Sequence, residues 1–460
     1  MSTAQPIRMT RRGPGLDSLL GAVAEGIDQG LVPVELFNDE DVFRAEMERI
    51  FARTWVFVAH ETEIPNKGDF VLRRIGLDSV IVSRDDTGKV NVMSSHCRHR
   101  GTQVCLTDRG NATHFKCPYH GWTYKNNGEW AGAPHMREAY GEKLDAKEWG
   151  LLKAPRVDSH QGFIFASLSA EGPSLKEHLG GAAWVLDTIC GLHPGGVRVV
   201  GSPERSILRA DWKSGAENFA GDSYHIDTGH WSNEVTGYAR GTRENNHMVR
   251  RLVLDGGHGF LCHALEQMGG PFLHLWGYPP HVQAQFDLSK MDEVQVKLLN
   301  ENPPTIGNIF PNLSYLRVPS TAEAGKPPAV TTTFRQWQPL EPGLMEIWNW
   351  QFTFDFMSEE DTQHGYAVGQ YIFSSSGMFE QDDTVLWEGI PRAGKSVWHR
   401  KAETMLHYRQ TGIGTDAQRK PEPDWKGPGE FYNDGFGEFG QLNFYRQWLQ
   451  LMRQDPEGAR

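Results

Sequence analysis

Apolar residues return at helical spacing over residues 38–55, NDEDVFRAEMERIFARTW, where Val42, Phe43, Met47, Ile50, Phe51 and Trp55 fall on one side and Asn38 or Asp39 stands at the N-cap position. The period then changes. DFVLRRI (69–75), SVIVSRD (79–85) and KVNVM (89–93) alternate or run β-branched, which predicts three short strands, with Asp86, Thr87 and Gly88 supplying a turn between the second and third. Asn127-Gly128 after GWTYK predicts a further hairpin. Later, AVTTTFRQWQPLEPGLMEIWNWQFTF reads as two long strands around a Pro342-Gly343 turn. Ser358 and Asp361 then form a capping box that opens a helix. RKPEPDWKGPGEFYNDGFG is a Pro/Gly-rich loop, and FGQLNFYRQWLQLM is an amphipathic closing helix.

The pattern is α+β. It divides into an N-terminal arm (1–38), interrupted by Gly13, Pro14, Gly15 and Pro33, a β-rich unit (39–165) and a mixed unit (166–460). At 460 residues the chain exceeds one compact core. Its net charge of −12 and lack of a basic run argue against nucleic acid as a partner. Without an apolar run of membrane-spanning length or a signal-peptide core, the expectation is a cytoplasmic protein with no membrane partner. The 15 Trp, 23 Phe and 12 Tyr suit packed cores or pockets for planar ligands.

Five cysteines, an odd number with three of them within residues 96–122 (HCRHRGTQVCLTDRGNATHFKCPYHGW), make metal binding a better use than a disulfide framework. Cys97 and His99 are one residue apart, Cys117 and His120 two, and 17 residues separate the pairs. Independent core cysteines with surface histidines are the plain reading. A structural Cys2His2 zinc site usually groups like ligands, whereas here each loop is mixed. A Rieske [2Fe-2S] centre, with two Cys on one iron and two His on the other, fits mixed loops best. Gly101 and Gly121 allow close backbone approach, and Pro118 stiffens the second loop. Cys105 falls outside the pattern and is expected in the core.

Such a centre relays single electrons, so chemistry on a substrate needs a second site. In DWKSGAENFAGDSYHIDTGH (211–230), Asp222 and His225 share a face on a continuous helix, while His230 lies about 140° from His225. A break at Thr228-Gly229 would bring the two histidines together. Two imidazoles and a carboxylate form the facial triad of non-haem iron oxygenases, although the same residues also serve as helix caps.

With CRHRG, CPYHGW, ENFAGDSYH and FEQDD in order, the chain resembles the large (α) subunits of Rieske non-haem iron aromatic ring-hydroxylating dioxygenases. The resemblance implies a Rieske β-domain, an antiparallel β-sandwich with two metal-binding loops, and a catalytic domain with a long antiparallel sheet flanked by helices, on which the arm packs. It implies that Cys97, His99, Cys117 and His120 hold the cluster. It further implies that His225, His230 and Asp383 hold Fe(II), with Asp382 an alternative that spacing does not exclude. Asp222 becomes a bridge from His225 to the cluster histidine, here His120, of a neighbouring subunit. Asn218, Phe219, Ile306, Asn308, Phe373 and Phe379 are placed around the substrate. Asp211 departs from the Asn common at that position.

The implied activity adds both atoms of O2 to an arene as a cis-dihydrodiol. Electrons come from NADH through a reductase and a ferredoxin, and a small β subunit completes an α3β3 assembly. Texture such as HETEIP and GNIFPNLS resembles phthalate and polycyclic-aromatic members, so phthalate is the expected substrate, with Arg317 as partner for a ring carboxylate. The alternatives are a polycyclic aromatic hydrocarbon dioxygenase and a Rieske monooxygenase or demethylase. An electron-transfer protein would lack the triad, and a zinc-stabilised protein would lack colour.

Overall fold

The computed structural model describes residues 15–141, 143–238, 245–266, 271–323, 325–412 and 419–454. Gly13 and Pro14 of the arm lie outside them. The three predicted strands form as Asp69–Ile75, Asp78–Arg84 and Val90–Ser94, joined by Arg109–Asn111 in an antiparallel four-stranded sheet. His114–Lys116, Thr123–Lys125 and Trp130–Gly132 make a second small sheet, turning at Asn127-Gly128 with Gly128 at φ +86°. A third pairs Val56–His60, Phe163–Ser167 and Arg156–His160.

From residue 197 onward the strands, Met405–His407 excepted, build one eight-stranded antiparallel sheet. Its order is Val197–Leu208, Leu344–Phe354, Ala329–Glu341, Leu313–Ser320, Pro304–Ile309, His258–His263, Val249–Leu254 and Glu430–Tyr432. The Pro342-Gly343 turn falls where the pattern put it, with Gly343 at φ +70°. Pleating separates two cores. One face carries Trp337 against the helices Trp212–Gly221 (Phe219) and Phe439–Met452 (Trp448), and the other carries Tyr315, Phe334 and Trp350 against Leu186 and Ile189.

The helix predicted over 38–55 is shorter: Asp39 caps Glu40–Glu46, and a wider turn follows in which Ala52 N–H reaches back to Met47 O. The described part of the arm holds a helix that the sequence pattern does not predict, Leu16–Ile27, before the strand Leu31–Pro33 pairs with Met405–His407. Its Leu19, Leu20, Val23 and Ile27 make a buried helical stripe that the flanking glycines and prolines obscure.

A buried network ties the helices that face the site. Lys213 Nζ lies 2.7 Å from both Glu46 Oε1 and Asp211 Oδ1, while Trp212 Nε1 and Trp448 Nε1 donate to the same Glu46 carboxylate at 2.9 and 2.8 Å. This accounts for the acid at position 211: Asp211 caps the helix Trp212–Gly221 through Lys213 N–H and balances a lysine that is fully buried.

Candidate metal centres

The two Cys/His loops have one geometry. Gly101 N–H donates to Cys97 O at 2.8 Å and Gly121 N–H to Cys117 O at 3.0 Å, closing matched turns with the glycines at φ +76° and +73°. Both thiols are buried, and the Cys117 thiol is pushed up by burial and further by Cys97, so the two sulfurs are neighbours. The His99 and His120 rings meet at 4.5 Å, and His99 stacks on Trp122 at 5.2 Å. Sulfurs gather on one side and imidazoles on the other, the sorting a pair of unlike irons requires. The four do not make a single-ion set: among the described residues, only His225, His230 and Asp383 bring three donors within 4.8 Å of one another. Tyr124 Oη, 3.2 Å from Cys97 Sγ, was not foreseen. Cys105 is buried in the same small core, as expected.

At the second centre His225 Nε2 and His230 Nε2 are 3.2 Å apart, and each is 3.3 Å from Asp383 Oδ1. Bonds of about 2.1–2.2 Å at right angles set adjacent donors roughly 3.0–3.1 Å apart. The triangle is therefore close to one face of an octahedron. Asp383 Oδ1 is buried with no hydrogen-bond partner among the described residues, which is the state of an oxygen placed for a cation. Burial alone would lower the His225 pKa, but Asp222 and Asp383 outweigh it and hold the ring well above its usual value. Burial would likewise raise Asp383, and the two imidazoles reverse that. The cluster attracts positive charge.

The chain reaches this arrangement differently from the helical reading. The helix Trp212–Gly221 ends before Asp222, whose φ −89°, ψ 92° is extended, so Asp222 and His225 do not share a helical face. Asp222 instead accepts from His225 N–H at 3.3 Å, and its Oδ2 lies 3.4 Å from His225 Nδ1. A single turn, Ile226–Gly229, follows; it keeps Thr228 and Gly229, where the break was expected, and is interrupted one residue later, at His230. Asp382 lies outside the triangle. Its Oδ2 faces His230 Nδ1 at 3.3 Å and accepts from Ser232 Oγ and Asn233 Nδ2 at 3.1 and 2.9 Å. Each histidine thus turns its outer nitrogen to a carboxylate and its inner nitrogen to Asp383.

Phe379 packs on His230 at 4.9 Å and on Phe373 at 5.7 Å, and Asn218 Nδ2 is 3.4 Å from His225 Nδ1. Phe219, Phe373 and Ile306 belong to the core on this face. Asn308, on the same face of its strand as Ile306, accepts from Ser314 Oγ at 2.9 Å, while Ser314 accepts from Trp337 Nε1 at 2.8 Å. One expectation is corrected. Arg317 points through the opposite face: it donates to Thr332 Oγ1 and Ile189 O at 2.9 and 2.7 Å and covers Trp276 at 4.7 Å. Strand pleating decides this, because Arg317 alternates with Leu316 of the site-facing core. Sequence reasoning also missed a buried pair on the site-facing side, Arg335 and Glu380, 2.6 Å apart. Glu380 sits one turn before Asp383 in FEQDD, and that spacing was the available signal.

Residues 54–153 match the Rieske [2Fe-2S] domain family, which defines the class of the first centre. Over 443 residues the chain is 53% identical to the N,N-dimethyl phenylurea N-demethylase subunit alpha of Sphingobium sp. (strain YBL2), covering 96% of this chain and 95% of that one. It is 42% identical over 428 residues to the large oxygenase component of the 2,4-dinitrotoluene dioxygenase system of Burkholderia sp. (strain RASC), covering 90% and 89%. Its fold superimposes on naphthalene 1,2-dioxygenase from Rhodococcus sp. bound to indole with a TM-score of 0.87 at 34% identity, over 94% of this chain and 97% of that one. The chain belongs to the Rieske aromatic ring-hydroxylating oxygenases, as a large (α) subunit, and is an oxidoreductase. Among the described residues no helix is long and apolar enough to cross a membrane. The expected preference for phthalate has no support from these relatives or from Arg317.

Proposed function

We propose that the chain is the terminal oxygenase subunit of a multicomponent system, holding a [2Fe-2S] cluster through Cys97, His99, Cys117 and His120 and ferrous iron through His225, His230 and Asp383. The observation that carries this is the triangle of donors with 3.2–3.3 Å edges and an orphaned carboxylate oxygen at one corner. Iron bound there supplies the redox chemistry that dioxygen, unreactive toward arenes by itself, requires. The unit 39–165 carries the relay and 166–460 the catalytic centre, with the described part of the arm 1–38 packed on the latter.

The protein's own groups do the rest. Asp382 and Asp222 hold the Nδ1 protons of His230 and His225, so that the Nε2 proton is the one a bound cation would displace. Asp222 is 30% exposed and bridges His225 to His120 of a second copy, so the electron crosses a subunit boundary. Tyr224, Trp231, Val235, Val385 and Leu386, all exposed, lie close to Asp222 or the metal triad in sequence and form an apolar collar for that contact. An α3β3 assembly with a small β subunit, a ferredoxin and an NADH-dependent reductase completes the system.

The substrate is an uncharged arene bearing an N-methyl group. The 53% identity to a phenylurea N-demethylase favours this over phthalate, as does a wall of Phe219, Phe373 and Phe379 whose nearby cation, Arg335, is already neutralised by Glu380. The reaction balances as R–N(CH3)2 + O2 + 2e− + 2H+ giving R–NHCH3, formaldehyde and water. A second reading, cis-dihydroxylation, is favoured by the structural likeness to naphthalene 1,2-dioxygenase and consumes the same electrons and protons. Incubation with N,N-dimethyl-N′-phenylurea, naphthalene and phthalate under a reducing system separates them. Formaldehyde from the urea is expected; a cis-diol from naphthalene with the urea untouched would reverse the order, and turnover of phthalate alone would sink both.

A further inference from the structure

Arg335 touches three elements that carry the second centre. It stands on the strand Ala329–Glu341 with its side chain 2% exposed. Its guanidinium covers Phe219 of the helix Trp212–Gly221 at 5.1 Å and Phe373, the last residue of the helix Glu359–Phe373, at 5.4 Å. Its Nη1 pairs with Glu380, 4% exposed, on the helix Met378–Trp387 that carries Asp383 one turn later. Among the described residues Nε and Nη2 have no hydrogen-bond partner. A cation so fully desolvated and so incompletely bonded is a poor way to stabilise a core, since apolar groups of similar volume do as well. Its distinctive property is that it joins elements: one guanidinium lies within 2.6 Å of a carboxylate oxygen on one helix and against ring faces on two others.

We propose that Arg335 and Glu380 are positioning residues that set the rotation of the Asp383 helix and the separation of the Phe219 and Phe373 walls. The pair couples metal geometry to pocket shape. Through the pair, a shift of the sheet moves the carboxylate ligand and both walls together. This inference rests on His225, His230 and Asp383 being the ligands.

The test uses the complete oxygenase with its cluster intact and its mononuclear iron exchanged for Co(II), compared with the double variant Arg335→Met/Glu380→Leu. The thermal midpoint and the visible spectrum of the cluster should be retained, while Co(II) affinity falls about 10- to 100-fold. The Co(II) absorption bands should shift, and in the iron-loaded form of the same variant the product ratio should change. Unchanged affinity, bands and products would overturn the proposal. Should the double variant fail to fold, Arg335→Lys, which keeps the charge but loses the planar fork, is expected to show the same shifts at smaller size, and parental behaviour there overturns it equally. A parent protein that takes up no Co(II) would instead remove the ligand assignment on which the proposal stands.

Discussion

Asp382 Oδ2 lies 3.3 Å from His230 Nδ1, while its neighbour Asp383 faces His230 Nε2 at the same distance through Oδ1. Two adjacent acids grip opposite edges of one ring, the inner one toward the metal position and the outer one as the ring's support. Their substitutions should therefore differ in kind. Asp383→Ala is expected to lose the mononuclear iron and keep the cluster, whereas Asp382→Asn should keep both and weaken mononuclear metal binding about 10-fold. Iron and sulfide analysis of the two variants checks this, and equal iron loss in both would show that the two acids share the ligand role.

Asp222→Asn should retain both iron sites and lose turnover at least about 100-fold, equivalent to about 2.7 kcal/mol. Its carboxylate is 30% exposed and 3.4 Å from His225 Nδ1, and the amide keeps the volume while discarding the charge. Stopped-flow oxidation of the reduced cluster in the presence of substrate reads the step directly. Parental rates in this variant would remove the bridge.

Tyr124→Phe should lower the reduction potential of the cluster. With Cys97 a cluster thiolate, the Tyr124 hydroxyl, 3.2 Å from its Sγ, would be the donor of a hydrogen bond that stabilises the more negative, reduced form. A bond of about 1 kcal/mol corresponds to roughly 40 mV for one electron. Redox titration of the visible spectrum measures it, and an unchanged or higher potential contradicts the assignment.

Buried histidines should cost stability as pH drops below about 6.5. The buried carboxyls of Glu46, Glu380 and Glu438, raised to about 7, and of Glu217, raised to about 8, act against this and add to stability. Burial lowers the pKa of His178 to about 3 and those of His60, His258 and His263 to about 4. The value for His263 reflects burial alone, and His258 and His178 bond each other's segment through His258 Nε2 and His178 O at 3.0 Å. The folded state keeps these rings neutral while the unfolded chain protonates them, so the unfolded state gains protons first as pH falls from about 6.5 toward about 4. Each histidine is expected to cost about 1–2 kcal/mol by about pH 5. Thermal midpoints of the parent and of His263→Gln at neutral and mildly acidic pH test the sign: acidification should cost the parent more than the variant, and equal changes in the two refute it.

Gly215→Ala should destabilise the fold by about 1–3 kcal/mol and disturb the pocket. A Cβ at Gly215 would fall 2.4 Å from Trp337 Cδ2, and Trp337 in turn packs against Phe219 at 5.3 Å. The measurement is the thermal midpoint together with KM for the aromatic substrate. A variant as stable as the parent would mean that the Trp337 ring has room to move.

Much of the fold and of the first centre was legible in the order of residues because it is local. The loops around Cys97 and Cys117 close through the glycine that ends each motif, Gly101 and Gly121, and the strand Asp69–Ile75 and the helix Phe439–Met452 follow from period alone. The break beside Gly229 was readable to within one residue for the same reason, and it falls at His230. The end of the helix at Gly221 was not, since Asp222 leaves the helix to cap the turn that His225 begins, and that choice depends on where the chain must next go.

By itself, then, the sequence determined which residues could bind metal and in which loops and turns they sit, because ligand type and short spacing are properties of adjacent residues. Only the tertiary structure decided that Asp383, more than 150 positions beyond His225, meets the two imidazoles while Asp382 supports one from behind. It also decided that Arg317 leaves the site and Arg335 enters it. The two arginines stand on paired strands, and the face each side chain takes is set by strand register, which no local pattern of charge or hydrophobicity records.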